Sequence, residues 1–489
     1  MKRILTLILA LALMLCTFSV SAEESKPQLS VVWYGNVQSF LEGEDENNNF
    51  IIHYLEDESG VDLTWNILPT ENAEAKLNVM MASKDEAPDI LVLNNRKAFL
   101  NYYNEGMLQQ LDDYLPEGFL PEDVEAVADI GVLDGGKYAI TTPGNQSGST
   151  HIWMYNKALM EQAGITVPEN LTLDEFTEIL YKLKGVYPDK IILGGMHFDF
   201  IQAAFGIAND YRETADGTLE DTRVSEDMRE YLAYMQKLYA DGILDKEFQV
   251  NTKENVMAEI SNDEVVTLGV EWYTYTGGYR NIMADDDGKG ALTKWAQVAV
   301  LDGGRATKGQ TAGSREQEYC CVSYACEDVQ AAVNVIRIMC TDDYYKFCMY
   351  GQEGVDYVYN DDGKRVRTDS TIGQAFGTAG AQFYVYYFVK ETKDQRIDRL
   401  GMSQSEERLD NSQRIWYSAK EVNDPLEAVP IIAEYQDGKT DLSDLFSTYR
   451  VKFIMNEYSM DKFDDMKAEW EQLGGQEILD ALNEWYTNR

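Results

Sequence analysis

The chain has 489 residues, of which 44% are hydrophobic, so it is long enough for two or three domains with ordinary cores. It carries 84 acidic and 42 basic residues, a formal net charge of −42 at pH 7. Such a field repels phosphate backbones and anionic lipids, which excludes nucleic acid and anionic membrane surfaces as expected partners.

Residues 1–22 have the features of a secretory signal peptide. A basic end at residues 2–3 precedes an apolar run at residues 4–18, which is too short to span a bilayer comfortably. The small residues that follow predict cleavage after Ala22. Lipid attachment to Cys16 is the alternative, but Leu15 stands where a lipoprotein signal has a small residue. We therefore expect a secreted protein at the extracellular face of the cell membrane, with a lipid anchor through Cys16 as the less favoured case.

Apolar runs alternate with helical patterns in the first part of the chain. The predicted strands are LSVVWYG (29–35), VDLTWNIL (61–68) and APDILVLNN (87–95), and the spacing in AEAKLNVMMAS (73–83) predicts a helix between the last two. This alternation predicts a largely parallel α/β sheet, in which ligands bind beyond the carboxyl ends of the strands. That rule singles out Trp33 and Tyr34 after one strand, and Asn95 and Arg96 after another.

A second α/β series begins after a segment rich in Gly, Ser and Thr at residues 141–150. Its strand IILGGMHF places His197 and Phe198 at a carboxyl end, and Thr172 and Ser225 are predicted helix N-caps. A second Gly-rich segment follows at residues 301–313. Both segments are typical of a chain that crosses from one domain to another.

Four aromatic residues follow the predicted buried strand VVTLGV. The stretch EWYTYTGGYR (271–280) holds Trp272, Tyr273, Tyr275 and Tyr279. Rings in a loop after a strand are exposed, which makes them candidates for contact with a ligand, although a single site cannot take all three tyrosines. The alternative is that Trp272 only covers a domain surface.

Five cysteines follow the predicted signal peptide, an odd number that cannot pair completely within one chain. Cys340 and Cys348 lie in apolar helical patterns and are expected to be buried thiols. Cys320, Cys321 and Cys326 have no histidine near them in sequence and fit zinc spacing poorly, so we predict no metal and no cofactor.

Five stretches, spread in order over nearly the whole chain, carry a family pattern. They are KLNVMMASKDEAPDIL (76–91), EGMLQQLDDYL (105–115), WMYNKALMEQAGITVPENLTLDEF (153–176), LYADGILDKEF (238–248) and YGQEGVDYVY (350–359). Together they resemble the extracellular solute-binding proteins of ABC importers, in the carbohydrate-binding group that includes maltodextrin-binding protein. The last stretch is similar to a signature of a longer-chain branch common in Gram-positive bacteria.

The resemblance implies an α/β fold of the type II periplasmic-binding-protein kind, with two discontinuous lobes joined by hinges. It implies lobe 1 at residues 23–145 and 301–365, and lobe 2 at residues 146–300 and 366–489. It also implies a monomeric substrate-binding subunit that performs no chemistry. Such a subunit captures a carbohydrate, expected to be an oligosaccharide, between its lobes and delivers it to the membrane permease subunits.

The resemblance also implies a sugar-binding site. Family members often place a sugar-stacking tryptophan in the loop after a second-lobe strand, and Trp272 falls there. The candidate contacts are Trp272, Asn95, Arg96, Trp33, Tyr34, His197, Phe198, Tyr273 and Tyr275. Two of them have strong structural alternatives: Arg96 would pair with or cap the next helix, and His197 would be a buried histidine with protein partners.

A secreted glycoside hydrolase is the main rival interpretation. It needs only two suitably separated carboxyl groups, which 84 acidic residues permit without singling out a pair. The sequence contains no G-x-S-x-G, H-E-x-x-H or P-loop motif. A structural or adhesive surface protein is the third interpretation, and it would have no ligand cleft.

Overall fold

The computed structural model describes residues 26–34, 43–69, 72–143, 151–271, 294–298, 301–303, 311–313, 316–370, 394–395, 398 and 421–489. The predicted signal peptide lies outside these residues.

Strands and helices alternate along the described residues. The strands are Gln28–Tyr34 (β1), Asp62–Leu68 (β2), Ile90–Leu93 (β3), Val132–Leu133 (β4), Gly136–Lys137 (β5), Ile140–Pro143 (β6), His151–Asn156 (β7), Leu171–Thr172 (β8), Ile191–Gly195 (β9), Tyr211–Glu213 (β10), Leu219–Asp221 (β11), Val265–Glu271 (β12), Trp295–Val298 (β13), Leu301–Asp302 (β14), Thr311–Gly313 (β15), Glu316–Val322 (β16), Tyr357–Tyr359 (β17), Arg365–Arg367 (β18) and Glu421–Asn423 (β19). The α-helices are Phe50–Ser59 (α1), Ala73–Met81 (α2), Arg96–Asn104 (α3), Glu122–Glu125 (α4), Lys157–Gln162 (α5), Leu173–Val186 (α6), Asp199–Ala204 (α7), Glu226–Ala240 (α8), Lys253–Ser261 (α9), Val329–Met339 (α10), Asp342–Tyr350 (α11), Ala433–Ile454 (α12), Phe463–Gln472 (α13) and Gly475–Asn488 (α14).

The first sheet has the strand order β2-β1-β3-β16-β6. Strand β1 pairs in parallel with β2 and β3, whereas β16 runs antiparallel to β3 and β6. All four residues of β3 are buried, as expected for a strand covered on both faces. One face packs against α1, α10 and α11, and the other packs against α2 and α3.

The second sheet has the strand order β13-β7-β12-β9. Strand β12 pairs in parallel with β9 and antiparallel with β7, and β13 is antiparallel to β7. The strands predicted from VVTLGV and IILGGMHF are therefore neighbours.

Each sheet has one reversed strand, and both reversals follow a crossing between the sheets. Strand β6 of the first sheet ends at Pro143, and β7 of the second begins at His151. Strand β14 pairs with β8 of the second series, and β16 then returns to the first sheet. A strand that enters from the other sheet runs against the local parallel strands. Because β7 and β16 each lie between neighbours that run the other way, four of the seven pairings in the two sheets are antiparallel, and both sheets are mixed rather than largely parallel as predicted.

The buried residues form two separate sets. The first draws on residues 29–140 and 319–357, and the second on residues 152–301 and 426–486. Leu301 is the first residue of the predicted second segment of lobe 1, but its side chain packs in the second set of buried residues. The exact residue limits of the two lobes stay a prediction.

A buried ion pair links the C-terminal helices to the β10–β11 hairpin of the second set of buried residues. An Nη atom of Arg223 lies 2.7 Å from an Oδ atom of Asp221, and both side chains are almost fully enclosed. The indole nitrogen of Trp470 on α13 donates to the same carboxylate at 2.9 Å. Because a buried charge needs partners, this carboxylate joins α13 to the β10–β11 hairpin.

The structure contains both helix N-caps that the sequence predicts. Thr172 and Glu175 form a capping box at the start of α6, and Ser225 caps α8. The stretch NDDGKR, which has the Asp-Gly pair typical of hairpin turns, joins the antiparallel strands β17 and β18.

Candidate functional site

The carboxyl ends of β1 and β3 form one rim of the first sheet. Trp33 is only 3% exposed, and its ring belongs to the core on the α1 side of the sheet. Tyr34 is the last residue of β1, and its side chain lies outside the described residues. Asn95 and Arg96 follow β3 at the same rim. The structure therefore brings these four predicted residues to one edge, with the Trp33 ring enclosed in the core.

Asn95 and Arg96 already have protein partners. The Oδ1 atom of Asn95 caps α3 by accepting a hydrogen bond from the Ala98 amide at 2.8 Å. The guanidinium of Arg96 donates to the carbonyl oxygen of Val429 at 2.6 Å and to that of Ile130 at 2.9 Å. Arg96 thus links the start of α3 to the segment before α12. A role in ligand binding stays a prediction for both residues.

A buried acid, Glu318, also lies at this rim, and no sequence motif singles it out. Glu318 lies on β16 one residue before Tyr319, which pairs with Leu93 at the end of β3. It is 4% exposed, and its Oε2 atom has no hydrogen-bond partner among the residues that the structure describes. Loss of hydration raises the pKa of Glu318 well above its ordinary value of 4.5. Its neighbours Glu316 and Gln317 are also polar, so the sequence gives no sign that Glu318 is buried.

The second rim gathers three polar side chains. The imidazole rings of His151 and His197 stack with their centroids 4.2 Å apart and 3° between their planes. The Nδ1 atom of His151 lies 2.6 Å from an Oδ atom of Asp199. Phe198 is 9% exposed and meets Phe248 edge to face, with ring centroids 6.4 Å apart. The predicted pair His197 and Phe198 therefore divides into a polar rim group and a largely buried ring.

Two glycines let the chain make this arrangement. Gly195 ends β9 with a φ of +99°, and a Cβ atom there would collide with the Gly269 backbone. A Cβ atom on Gly269 would in turn collide with the carbonyl group of His197. The amides of Met196 and His197 both donate to the Gly269 carbonyl, at 3.0 and 3.1 Å. The turn after β9 therefore crosses over β12 and carries His197 to His151 on β7.

A cavity of about 290 Å³ adjoins the second rim. Its lining includes His197, Asp199, Asn251, Tyr231 and Arg450. Loss of hydration opposes ionisation of Asp199, but the hydrogen bond with His151 and the charge of Arg450 hold its pKa below the ordinary value. The cavity thus combines donors, an acceptor and an aromatic side chain, which is a suitable lining for a polar solute.

The predicted stacking residues Trp272, Tyr273 and Tyr275 lie outside the described residues. The strand that leads to them is described, and its last residue, Glu271, pairs with His151. Strand β12 therefore ends at the same rim as the histidine stack, and Trp272 is the next residue in the sequence.

The five cysteines within the described residues are buried and unpaired. This holds for Cys320, Cys321, Cys326, Cys340 and Cys348, and confirms the expectation for the last two. Cys320 and Cys321 pack in cores on opposite faces of the first sheet, so they cannot share a metal ion.

Comparison with protein families identifies the class of this protein. Residues 51–349 match the model of the bacterial extracellular solute-binding proteins, and the chain belongs to that family. It is 21% identical over 453 residues to the polygalacturonan/rhamnogalacturonan-binding protein YtcQ of Bacillus subtilis, covering 87% of this chain and 85% of YtcQ.

Solved structures share the fold at low sequence identity. A fructo-nystose complex of the substrate-binding protein FusA from Streptococcus pneumoniae matches with a TM-score of 0.68 and 18% identity, covering 94% of this chain and 99% of FusA. A solute-binding protein from Bifidobacterium longum infantis, described as binding HMO, matches with a TM-score of 0.69 and 15% identity, covering 95% and 99%. The predicted two-lobed α/β fold is confirmed. In the part of the chain that the structure covers, no helix has the length and apolar character needed to cross a membrane.

Proposed function

We propose that this protein is the extracellular substrate-binding subunit of an ABC importer and that its ligand is an oligosaccharide. The ligand is held between the lobes, hinge closure encloses it, and the closed form docks on the membrane permease. The protein acts as a monomer and performs no chemistry. It is secreted and works at the outer face of the cell membrane.

The arrangement of the two sheets carries this proposal. In each sheet the parallel strands end at a rim that holds polar and aromatic residues, next to a crossing between the sheets. Domain interfaces and the carboxyl ends of parallel strands are the usual places for small-molecule sites. Family membership and relatives named for binding glycans support the same interpretation.

The physical basis of sugar capture is a flat ring combined with planar polar groups. A pyranose ring has an apolar face of C–H groups that an indole can cover, and Trp272 is the proposed indole. Hydroxyl groups around the sugar then need hydrogen-bond partners, for which His197, Asn251 and Glu318 are suitable. The net charge of −42 disfavours anionic ligands at long range, so neutral oligosaccharides are favoured over uronic acid oligomers.

Binding calorimetry on residues 23–489 tests the proposal with fructo-nystose, neutral human milk oligosaccharides and oligogalacturonides. We expect a neutral glycan to bind and to be recovered intact by mass spectrometry. Trp272→Ala should weaken its binding at least tenfold, which corresponds to a loss of about 1.4 kcal/mol. Trp485→Ala is the matched control, because Trp485 lies on α14 in the C-terminal cluster and should leave the affinity unchanged.

The outcomes separate the alternatives. Binding of a glycan that is lost in Trp272→Ala supports both the function and its site. Cleavage of the glycan would instead favour the glycoside hydrolase, and no binding to any glycan would overturn the proposed ligand class.

A further inference from the structure

We propose that His151, His197 and Asp199 form a binding site for a divalent transition-metal ion of the zinc type. Each residue offers one ligand atom, and these three atoms lie within 4.8 Å of one another. The chain has only three histidines, and two of them meet here although 46 positions separate them in sequence. The site uses His197, which is also a proposed sugar contact, but the three metal ligands do not depend on oligosaccharide binding.

The ligand set suits zinc. Two imidazole nitrogens and one carboxylate oxygen are a common set for a zinc ion that keeps a fourth position open. His151 Nδ1 and Asp199 Oδ2 are already 2.6 Å apart, so a small separation would admit an ion at the usual ligand distances of about 2.0–2.2 Å. The metal would take the place of the proton that now lies between these two atoms.

The histidine stack must open for the ion to bind. A ring nitrogen binds a metal in the plane of its own ring, and two rings only 3° from parallel do not direct their nitrogens at a common point. One imidazole must therefore tilt. His197 is the ring with room to do so, because it follows the end of β9 and lines the 290 Å³ cavity.

Charges near the site act in both directions. Arg450 lines the same cavity and opposes a cation, whereas Asp199 carries the negative charge that favours one. The net charge of −42 also raises the local concentration of cations. Zinc is thus held by coordination, with a favourable field from the protein as a whole.

A metal ion at this site would cross-link three elements of the second sheet and its surroundings. His151 belongs to β7, His197 to the turn after β9, and Asp199 is the first residue of α7. One ion would join these three elements at the rim. Because the ion binds the folded chain and has no such site in the unfolded one, it should raise the melting temperature.

The test uses residues 23–489, purified without a histidine tag, freed of metal with EDTA and titrated with zinc chloride. We expect one ion per chain by calorimetry and a rise of a few degrees in melting temperature. His151→Gln and Asp199→Asn should each weaken zinc binding at least tenfold. His53→Gln is the matched control, because His53 is exposed on α1, which packs on the first sheet. This substitution should not affect zinc binding.

A second measurement protects the test against misfolded variants. Cobalt(II) added to the wild-type protein should give the visible absorption bands of a tetrahedral site with nitrogen and oxygen ligands, and zinc should displace them. Absence of stoichiometric zinc binding, or equal loss of binding in His53→Gln, would overturn the proposal. Zinc binding that persists in Trp272→Ala would support the metal site even where sugar binding fails, because Trp272 is not one of the three proposed ligands.

Discussion

The carbonyl group of His197 occupies the space where a Cβ atom on Gly269 would stand. Backbone atoms cannot yield as a flexible side chain can, so any side chain at position 269 must push the turn after β9 away from β12. The position of His197 against His151 therefore depends on a residue that belongs to neither histidine's element.

Gly269→Ala should lower the stability of the second sheet. We expect a loss of about 1–3 kcal/mol in the free energy of unfolding, the usual range for an overpacked site. Gly185→Ala is the control, because Gly185 lies in α6 with nothing within 4 Å of the point where its Cβ atom would stand, and alanine there favours the helix. Thermal denaturation of both variants measures the difference, and equal melting temperatures would contradict the contact.

Glu318→Gln should stabilise the protein increasingly as the pH rises. The pKa of Glu318 is raised by burial, so in the pH range from its ordinary value of 4.5 up to the folded value the folded state holds a proton that the unfolded state releases. That contribution is fully present below pH 4.5 and is lost as the pH rises through the folded pKa. Glutamine stays neutral throughout and avoids this loss.

Melting temperatures of wild type and Glu318→Gln, measured between pH 4.5 and pH 8, test the predicted direction of this pH dependence. The two proteins should differ least at the acidic end and most at the alkaline end, with the variant the more stable. Glu105→Gln, at an exposed position after α3, should follow the wild type across the range. A constant difference at all pH values would contradict the assigned protonation.

Arg96→Ala should affect stability more than ligand binding. Its guanidinium donates to the carbonyl groups of Val429 and Ile130, and hydrogen bonds from charged groups contribute about 1.5–3 kcal/mol each. Partial exposure reduces this, so we expect a loss of about 1–3 kcal/mol in total. Urea denaturation measures it. Lys97→Ala, at the exposed neighbouring position, should change stability by less than about 0.5 kcal/mol.

The ligand affinity of Arg96→Ala distinguishes the two roles of this residue. If Arg96 is mainly a link between segments, the affinity for a bound glycan should fall by less than threefold. A tenfold fall in glycan affinity without loss of stability would show that Arg96 contacts the ligand.

The strands were predictable from the sequence because their burial follows from local composition. ILVL in β3 is apolar at every position and is buried at every position. The helix cap at Thr172 was predictable for a similar reason, because its hydrogen bonds are made with Glu175, only three residues later. These signals require no knowledge of distant residues, and they locate single elements but not the sheet to which each strand belongs.

The polar parts of the rims were not predictable in this way. The meeting of His151 and His197 requires the register of three strands and two glycines that allow close backbone approach. The burial of Glu318 follows from its place between β3 and β6, not from its neighbours in the chain. The direction of the Arg96 side chain depends on Val429, which is 333 positions away.

The five cysteines should be unreactive in the folded protein. All are buried, and loss of hydration raises the pKa of each thiol, to about 12 for Cys326, so the thiolate form that reacts is rare at neutral pH. Residues 23–489 should therefore show fewer than one thiol reacting with Ellman's reagent within an hour at pH 8, and five in 6 M guanidinium chloride. A reducing agent should leave the melting temperature unchanged, since none of these cysteines is paired. Only three reactive thiols in the denatured protein would reveal a disulfide, and rapid labelling of the folded protein would show that the cores around β16 and α10 open readily.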